Sequence, residues 1–125
     1  MFYAVPRKLM VTMENDVPFY HRSKEGIYIL ASELLQKPAQ DVYSKPYWIK
    51  ENGKHAIWFD PESNSSWDIG AMPDVGTSIY GITSTDHTSM PCEAVNWEYQ
   101  KGRNWITTTD VKVQGKIFHS EFFYI

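Results

Sequence analysis

The sequence predicts an all-β fold: an antiparallel β-sandwich or barrel of about eight to nine short strands, with at most one short helical turn. Three observations carry this. All five tryptophans, Trp48, Trp58, Trp67, Trp97 and Trp105, lie in one central stretch, each in a short apolar or β-branched run closed by a turn signal. Glycine-containing turn pairs (Asn52-Gly53, Lys101-Gly102, Gln114-Gly115) separate those runs, and the strand-like segments recur at roughly 8–12 residue spacing. Aromatic residues make up 15% of the chain, and flat rings suit a half-buried pleated surface.

Residues 7–14 (RKLMVTME) alternate, with Leu9, Val11 and Met13 on one face, and read as a first strand. Asn15, Asp16 and Pro18 break it. Residues 26–30 (GIYIL) are a second strand, and residues 31–36 (ASELLQ) fit one helical turn with Ser32 as N-cap, or the strand's tail. Residues 37–46 carry two prolines and read as irregular chain or a short edge.

Residues 47–60 form the best hairpin signal, turning at Asn52-Gly53. Two registers fit. A two-residue turn opposes Glu51 to Lys54, whereas a bulge at Gly53 opposes Lys50 to Lys54, and the one-residue slip exchanges every face. The bulged register is favoured because it gives one apolar face of Tyr47, Ile49, Ile57 and Phe59, and sets Trp48, Lys50, Lys54, Ala56 and Trp58 on the other. Residues 60–66 are a turn, 66–71 a strand with Trp67 and Ile69 inward, 72–76 a loop, 77–84 a strand weakened at Gly81, and 85–91 a polar loop. A second hairpin turns at Lys101-Gly102. With a Gly102 bulge, Val95, Trp97, Tyr99, Arg103 and Trp105 share a face, and Trp97 meets Trp105 across the strands. Residues 110–125 read as a last hairpin about Gln114-Gly115.

One domain accounts for residues 1–125. Net charge is −3 and no basic block occurs, so nucleic-acid binding is not expected. Cys92 is the one cysteine, so no internal disulfide can form. The first residues lack the basic-then-apolar pattern of a signal peptide, and no apolar run approaches the ~18 residues of a membrane helix. The expectation is a cytoplasmic protein without membrane association; a domain cut from a secreted protein is the alternative.

Pro46-Tyr47, Ile57-Trp58-Phe59, Trp67-Asp68-Ile69-Gly70, Pro91-Cys92, Trp97-Glu98-Tyr99 and Trp105 follow one another in a recognisable cadence. It resembles a small tryptophan-rich β module that recurs, often in tandem, in multidomain proteins of invertebrates and protists. This chain departs from that module in the order of Pro91 and Cys92 and in having no second cysteine. The resemblance covers about half the chain; it implies a compact β module and no particular chemistry.

Asp86, His87 and Cys92 bring the three residue types of a thiol nucleophile into one loop. Catalytic groups of that kind usually converge from distant parts of a chain, which favours a solvated loop beside a structural thiol. His21, His55, His87 and His119 never fall at metal-ligand spacing. Asp60, Glu62, Asn64 and Asp68 alternate like calcium ligands but lack the central glycine and closing glutamate of an EF-hand, so no metal and no cofactor is expected. Asn64-Ser65-Ser66 is a glycosylation sequon, meaningful in a secreted chain. No phosphate-binding or nucleophile-elbow motif occurs.

These readings leave a non-enzymatic binding or protein-interaction module with an aromatic surface, its partner a protein or a glycan. The expected ligand-binding face is Trp48 and Trp58 flanked by Lys50 and Lys54, because exposed rings beside cations bind sugars and peptides by stacking and cation–π contact. The competing reading covers that face and makes both rings core. The functional alternative is a small enzyme or ligand carrier with a pocket near residues 80–92, between Tyr80 and Cys92.

Overall fold

The computed structural model describes residues 4–15, 17–62, 65–115 and 122–124. Its strands are β1 (Ala4–Pro6), β2 (Lys8–Met13), β3 (Gly26–Leu30), β4 (Trp48–Lys50), β5 (His55–Asp60), β6 (Ser66–Ala71), β7 (Ile82–Ser84), β8 (Trp97–Lys101), β9 (Asn104–Thr108), β10 (Val111–Gly115) and β11 (Phe122–Tyr124). A single helical turn, α1 (Ala31–Leu34), and three 3-10 turns, Phe19–Lys24, Met72–Asp74 and Pro91–Glu93, complete the described elements. The fold is all-β. Strands β2 to β9 pair in chain order, each antiparallel to the next, and β10 returns to pair with β2. The result is a nearly closed nine-stranded barrel, with β9 and β10 flanking the gap.

The alternation predicted for residues 7–14 holds: Leu9, Val11 and Met13 are buried in the barrel. Facing them are Tyr28, Leu30, Trp48, Ile57 and Ile69, with Trp97 and Tyr99 from the other side. Each such side chain contributes roughly 1.5–3 kcal/mol on burial. Trp67 lies at the centre, its ring edge-on to Trp48 at 5.8 Å and to Phe59 at 5.4 Å.

The buried tryptophans also act as bolts. An indole buries a large apolar body but must place its N–H on an acceptor. Trp48 Nε1 donates to Pro6 O at 2.7 Å and fixes β1, while Trp67 Nε1 donates to Thr88 O at 3.1 Å and fixes the loop after β7. Trp58 Nε1 donates to Thr77 O at 3.2 Å. That last bond holds the segment 72–80 as a flap over the outer face of β5 and β6. Gly70 makes the close approach possible: a Cβ there would stand 2.8 Å from Trp58 Cη2 and 3.3 Å from Ile79 O. Under the flap β6 is buried on both faces, with only Ala71 partly open.

Several expectations are corrected. The first hairpin pairs Trp48 with Ile57 and Ile49 with Ala56, the register of the unbulged turn, with residues 51–54 as its loop and Gly53 at φ +77°. Trp48 therefore faces inward with Ile57, and Trp58 faces the opposite side with Ala56. The second hairpin pairs Lys101 with Asn104 and Gln100 with Trp105. Gly102, at φ +64°, is the first of its two loop residues, the position where a type II′ turn takes glycine. Trp97 thus lies opposite Thr108 rather than near Trp105, and Trp105 and Val95 are exposed. The strand expected over residues 77–84 is confined to Ile82–Ser84, because the residues before it form the flap. Ser32 lies inside α1, whose N-cap is Leu30 with no side-chain cap. The last hairpin expected over residues 110–125 lies partly outside the described residues; of those described, β10 joins β2, and β11 joins β1 with Val5 opposite Phe123, rather than each other.

Candidate functional site

The turn Phe19–Lys24 lies across one end of the barrel, where β3, β5 and β7 begin and β4, β6 and β8 finish. Tyr20 Oη donates to Gln100 O at 3.2 Å, and His21 Nε2 reaches the same oxygen at 2.6 Å, so the turn is strapped from the β2–β3 connection to β8. Tyr28 Oη donates to Lys24 O at 2.7 Å from inside the barrel, and burial pushes its phenol far up, so it stays protonated.

The strap fixes a tautomer. Lys24 Nζ is 3.2 Å from His21 Nδ1. An ammonium can only donate, so Nδ1 accepts and Nε2 carries the proton given to Gln100 O. Burial lowers the pKa of His21, opposed by the Gln100 bond and assisted by Lys24, which keeps the ring neutral at neutral pH. Gly81 leaves the room this arrangement needs: a Cβ there would stand 3.2 Å from both Lys24 Nζ and His21 Cε1.

Between strap, flap and the β8–β9 turn lies an open cleft of about 470 Å³. Tyr20, His21 and Lys24 form its strap wall, and Asp74, Ile79 and Tyr80 its flap wall. His55, Gly70 and Ala71 come from β5 and β6, and Gln100 and Gly102 from the far side. The rim has an apolar, accessible part: Tyr20 is 58% exposed and Ile79 65%. Trp105, itself exposed, does not line the cleft but packs against Tyr80 with ring centroids 5.5 Å apart.

Two basic side chains, Lys24 and His55, line the cleft. His55 is half-buried, and its Nδ1 is buried with no hydrogen-bond partner. Its pKa is lowered by burial first, then by Lys24, Lys50 and Lys54. Burial lowers the pKa of Lys24 too. Among the described residues no carboxylate forms an ion pair with Lys24; the ion pairs seen are Arg7–Glu33 and Arg22–Glu25.

The expected site residues therefore separate. Trp48 and Trp58 are both 0% exposed and on opposite faces, so they form no shared exposed platform. The register slip explains the first fact only in part; the flap explains the rest by covering Trp58. Lys50 and Lys54, in contrast, gather at the cleft end beside His55, with Lys50 Nζ donating to Ser23 O at 2.5 Å. Sequence reasoning missed Tyr20, His21 and Lys24. Their signal was the run PFYHRSK, aromatic and basic with no strand alternation.

Of the stretch between Tyr80 and Cys92, only Tyr80 and Gly81 reach the cleft. Asp86, His87 and Cys92 lie past the other end of β7. The Asp86 carboxylate accepts from Asn96 Nδ2 at 3.0 Å, Asn96 N at 2.9 Å and Val95 N at 2.7 Å, and these bonds hold its pKa low. It clamps the loop. Cys92 packs against the core, and burial pushes its thiol up. Its alkylation by iodoacetamide at pH 7.5 is expected to be slower than that of free cysteine; a rate above free cysteine would revive the thiol nucleophile.

Asp60 and Asp68 turn inward beneath the flap instead of forming a solvated loop. Asp68 Oδ1 accepts from Thr83 Oγ1 at 2.7 Å and Ser66 Oγ at 2.9 Å. Asp60 accepts from Glu62 N at 2.9 Å and Ser78 Oγ at 3.3 Å. Asn64 lies outside the described residues. Among the described residues no three His, Cys, Asp or Glu side chains are grouped to hold a metal ion, and no helix is long and apolar enough to cross a membrane.

No family model, no curated protein and no solved structure matches the chain, so what bears on its role is the cleft and its chemistry.

Proposed function

We propose that the chain is a non-enzymatic binding module whose partner, a glycan or a protein, seats in the cleft between strap and flap. The observation that supports this most is the 470 Å³ opening itself, with accessible rings and an aliphatic side chain at its rim and polar groups at its floor. Ligand sites are concave, with apolar walls and a few convergent polar groups, and this cleft has that composition. The aromatic surface expected from the sequence is then supplied by Tyr20 and Tyr80, the latter backed by Trp105, rather than by Trp48 and Trp58. The ligand-carrier alternative meets the same place through Tyr80 and Gly81.

A panel of glycans and peptides, followed by amide chemical-shift mapping, tests the reading. Shifts should concentrate on the strap, the flap and Gln100, and Tyr20→Ala should weaken binding about tenfold or more, as removal of a central aromatic contact does. Tyr20 is largely exposed, so folding should survive. Binding mapped to another surface, or unchanged in Tyr20→Ala, would count against the cleft.

A further inference from the structure

We propose that the cleft recognises an anionic group, a carboxylate, sulfate or phosphate carried by an acidic sugar, with Lys24 and His55 as its receptors. This rests on the reading of the cleft as the ligand site and adds the charge and class of what enters it.

The argument begins with charges left over. Lys24 is half-buried, its ammonium spends one donor on His21 Nδ1, and no carboxylate pairs with it among the described residues. A partly desolvated cation without a counter-ion is costly, and a ligand anion is the partner that removes the cost. Beside it, the half-buried His55 ring lines the cleft, with its Nδ1 beneath the surface and without a hydrogen-bond partner. Lys50 and Lys54 add positive potential from the hairpin tip, and Asp74 is the one carboxylate on the cleft wall. The chain as a whole carries −3, so this end runs against the overall sign, as a site built to attract an anion would.

Geometry favours a sugar over a peptide. Extended peptides bind by adding to a free strand edge. The strands that line the cleft, β5, β6 and β8, are each paired on both sides, leaving no such edge. Rings at the rim offer faces for stacking instead, Tyr20 accessible and Tyr80 half-buried against the exposed Trp105.

The test is a set of NMR titrations on the full chain with glucuronic acid, glucose 6-sulfate, glucose 6-phosphate, glucose, inorganic phosphate and a short Asp/Glu peptide. At least one acidic sugar should move the Lys24, His55 and Gly81 signals and bind at least about tenfold tighter than glucose, and the comparison among the three tells carboxylate from sulfate and phosphate. Lys24→Met, which keeps the stem and removes the charge, should abolish that advantage, and added salt should weaken it. His55→Gln provides a second variant should Lys24→Met fail to fold, and should reduce the advantage as well. Equal binding of glucose and its acidic counterparts in the cleft would overturn the anion receptor while leaving the cleft as a binding site. Peptide binding without sugar binding, or inorganic phosphate binding as tightly as the sugars, would overturn the acidic-sugar assignment. Absence of shifts at the cleft with every probe would overturn this inference, and the binding-site reading would fall only if the wider panel also left the cleft untouched.

Discussion

Trp48→Ala is expected to lower folding stability by about 3–5 kcal/mol, the usual cost of truncating a buried tryptophan. Three losses combine. The ring is fully buried beside Trp67, its removal opens a void in a filled barrel, and Pro6 O loses its donor, which frees β1. Trp58→Ala should be comparable in size but different in place. It removes the surface on which the flap rests and the N–H that holds Thr77 O, so flap amides should lose exchange protection first. Urea melts decide the matter. Midpoints that fall with an unchanged m-value confirm both rings as core; unchanged midpoints would return them to the surface as contact residues.

The second large effect concerns pH. Asp68 is fully buried, and its pKa is raised from 3.8 to about 8, by burial first and by the neighbouring Asp60, against the hydrogen bonds from Thr83 and Ser66. A folded-state pKa above the unfolded value means the folded chain holds the proton more tightly. The stabilisation is therefore complete below the unfolded pKa, declines as pH climbs, and is lost once pH passes about 8. The loss should be on the order of a few kcal/mol. Asp68→Asn, an amide that imitates the neutral carboxyl, should flatten this decline. His21 and His55 act in the opposite direction: their pKa values are lowered, so their contribution is present above about pH 6.5 and lost as pH falls through their folded values. Asp68→Asn should leave that acid limb intact. An Asp68→Asn protein that still loses stability toward alkaline pH would remove Asp68 as the cause.

Strand content was legible because most strands obey local rules, and the failures share one physical origin. Register can be read from apolar alternation only where one face of a hairpin is wet. In the first hairpin both faces are buried, the barrel side by the core and the other by the flap over Trp58, so the pattern had no wet face to report. In the second hairpin, the bulged register sets Trp105 on one face with Trp97, yet the unbulged turn places Trp105 outside on Tyr80. The strap Phe19–Lys24 is a 3-10 turn without the alternation that would have announced it. The pairing of β10 with β2 is a long-range choice, and a Gln114-Gly115 turn pair offered a plausible local one instead. The candidate site was half visible: Lys50 and Lys54 are at the cleft end, but Tyr20, His21 and Lys24 of the strap wall come from a segment, beyond the break at Pro18, to which the sequence reading assigns no element.

The return of β10 to β2 also dictates an order of events. Strands β2 to β9 can zip up neighbour by neighbour, each step closing a short loop. Setting Val111 opposite Met13 closes nearly the whole chain into a ring at once, and the entropy of that closure is repaid only when the earlier strands already stand in place. Ring closure therefore belongs to the end of folding, and the parting of β10 from β2 to the beginning of unfolding. Until it closes, β2 and β10 offer unpaired edges to other chains, so the interval before closure is when this barrel is most exposed to aggregation.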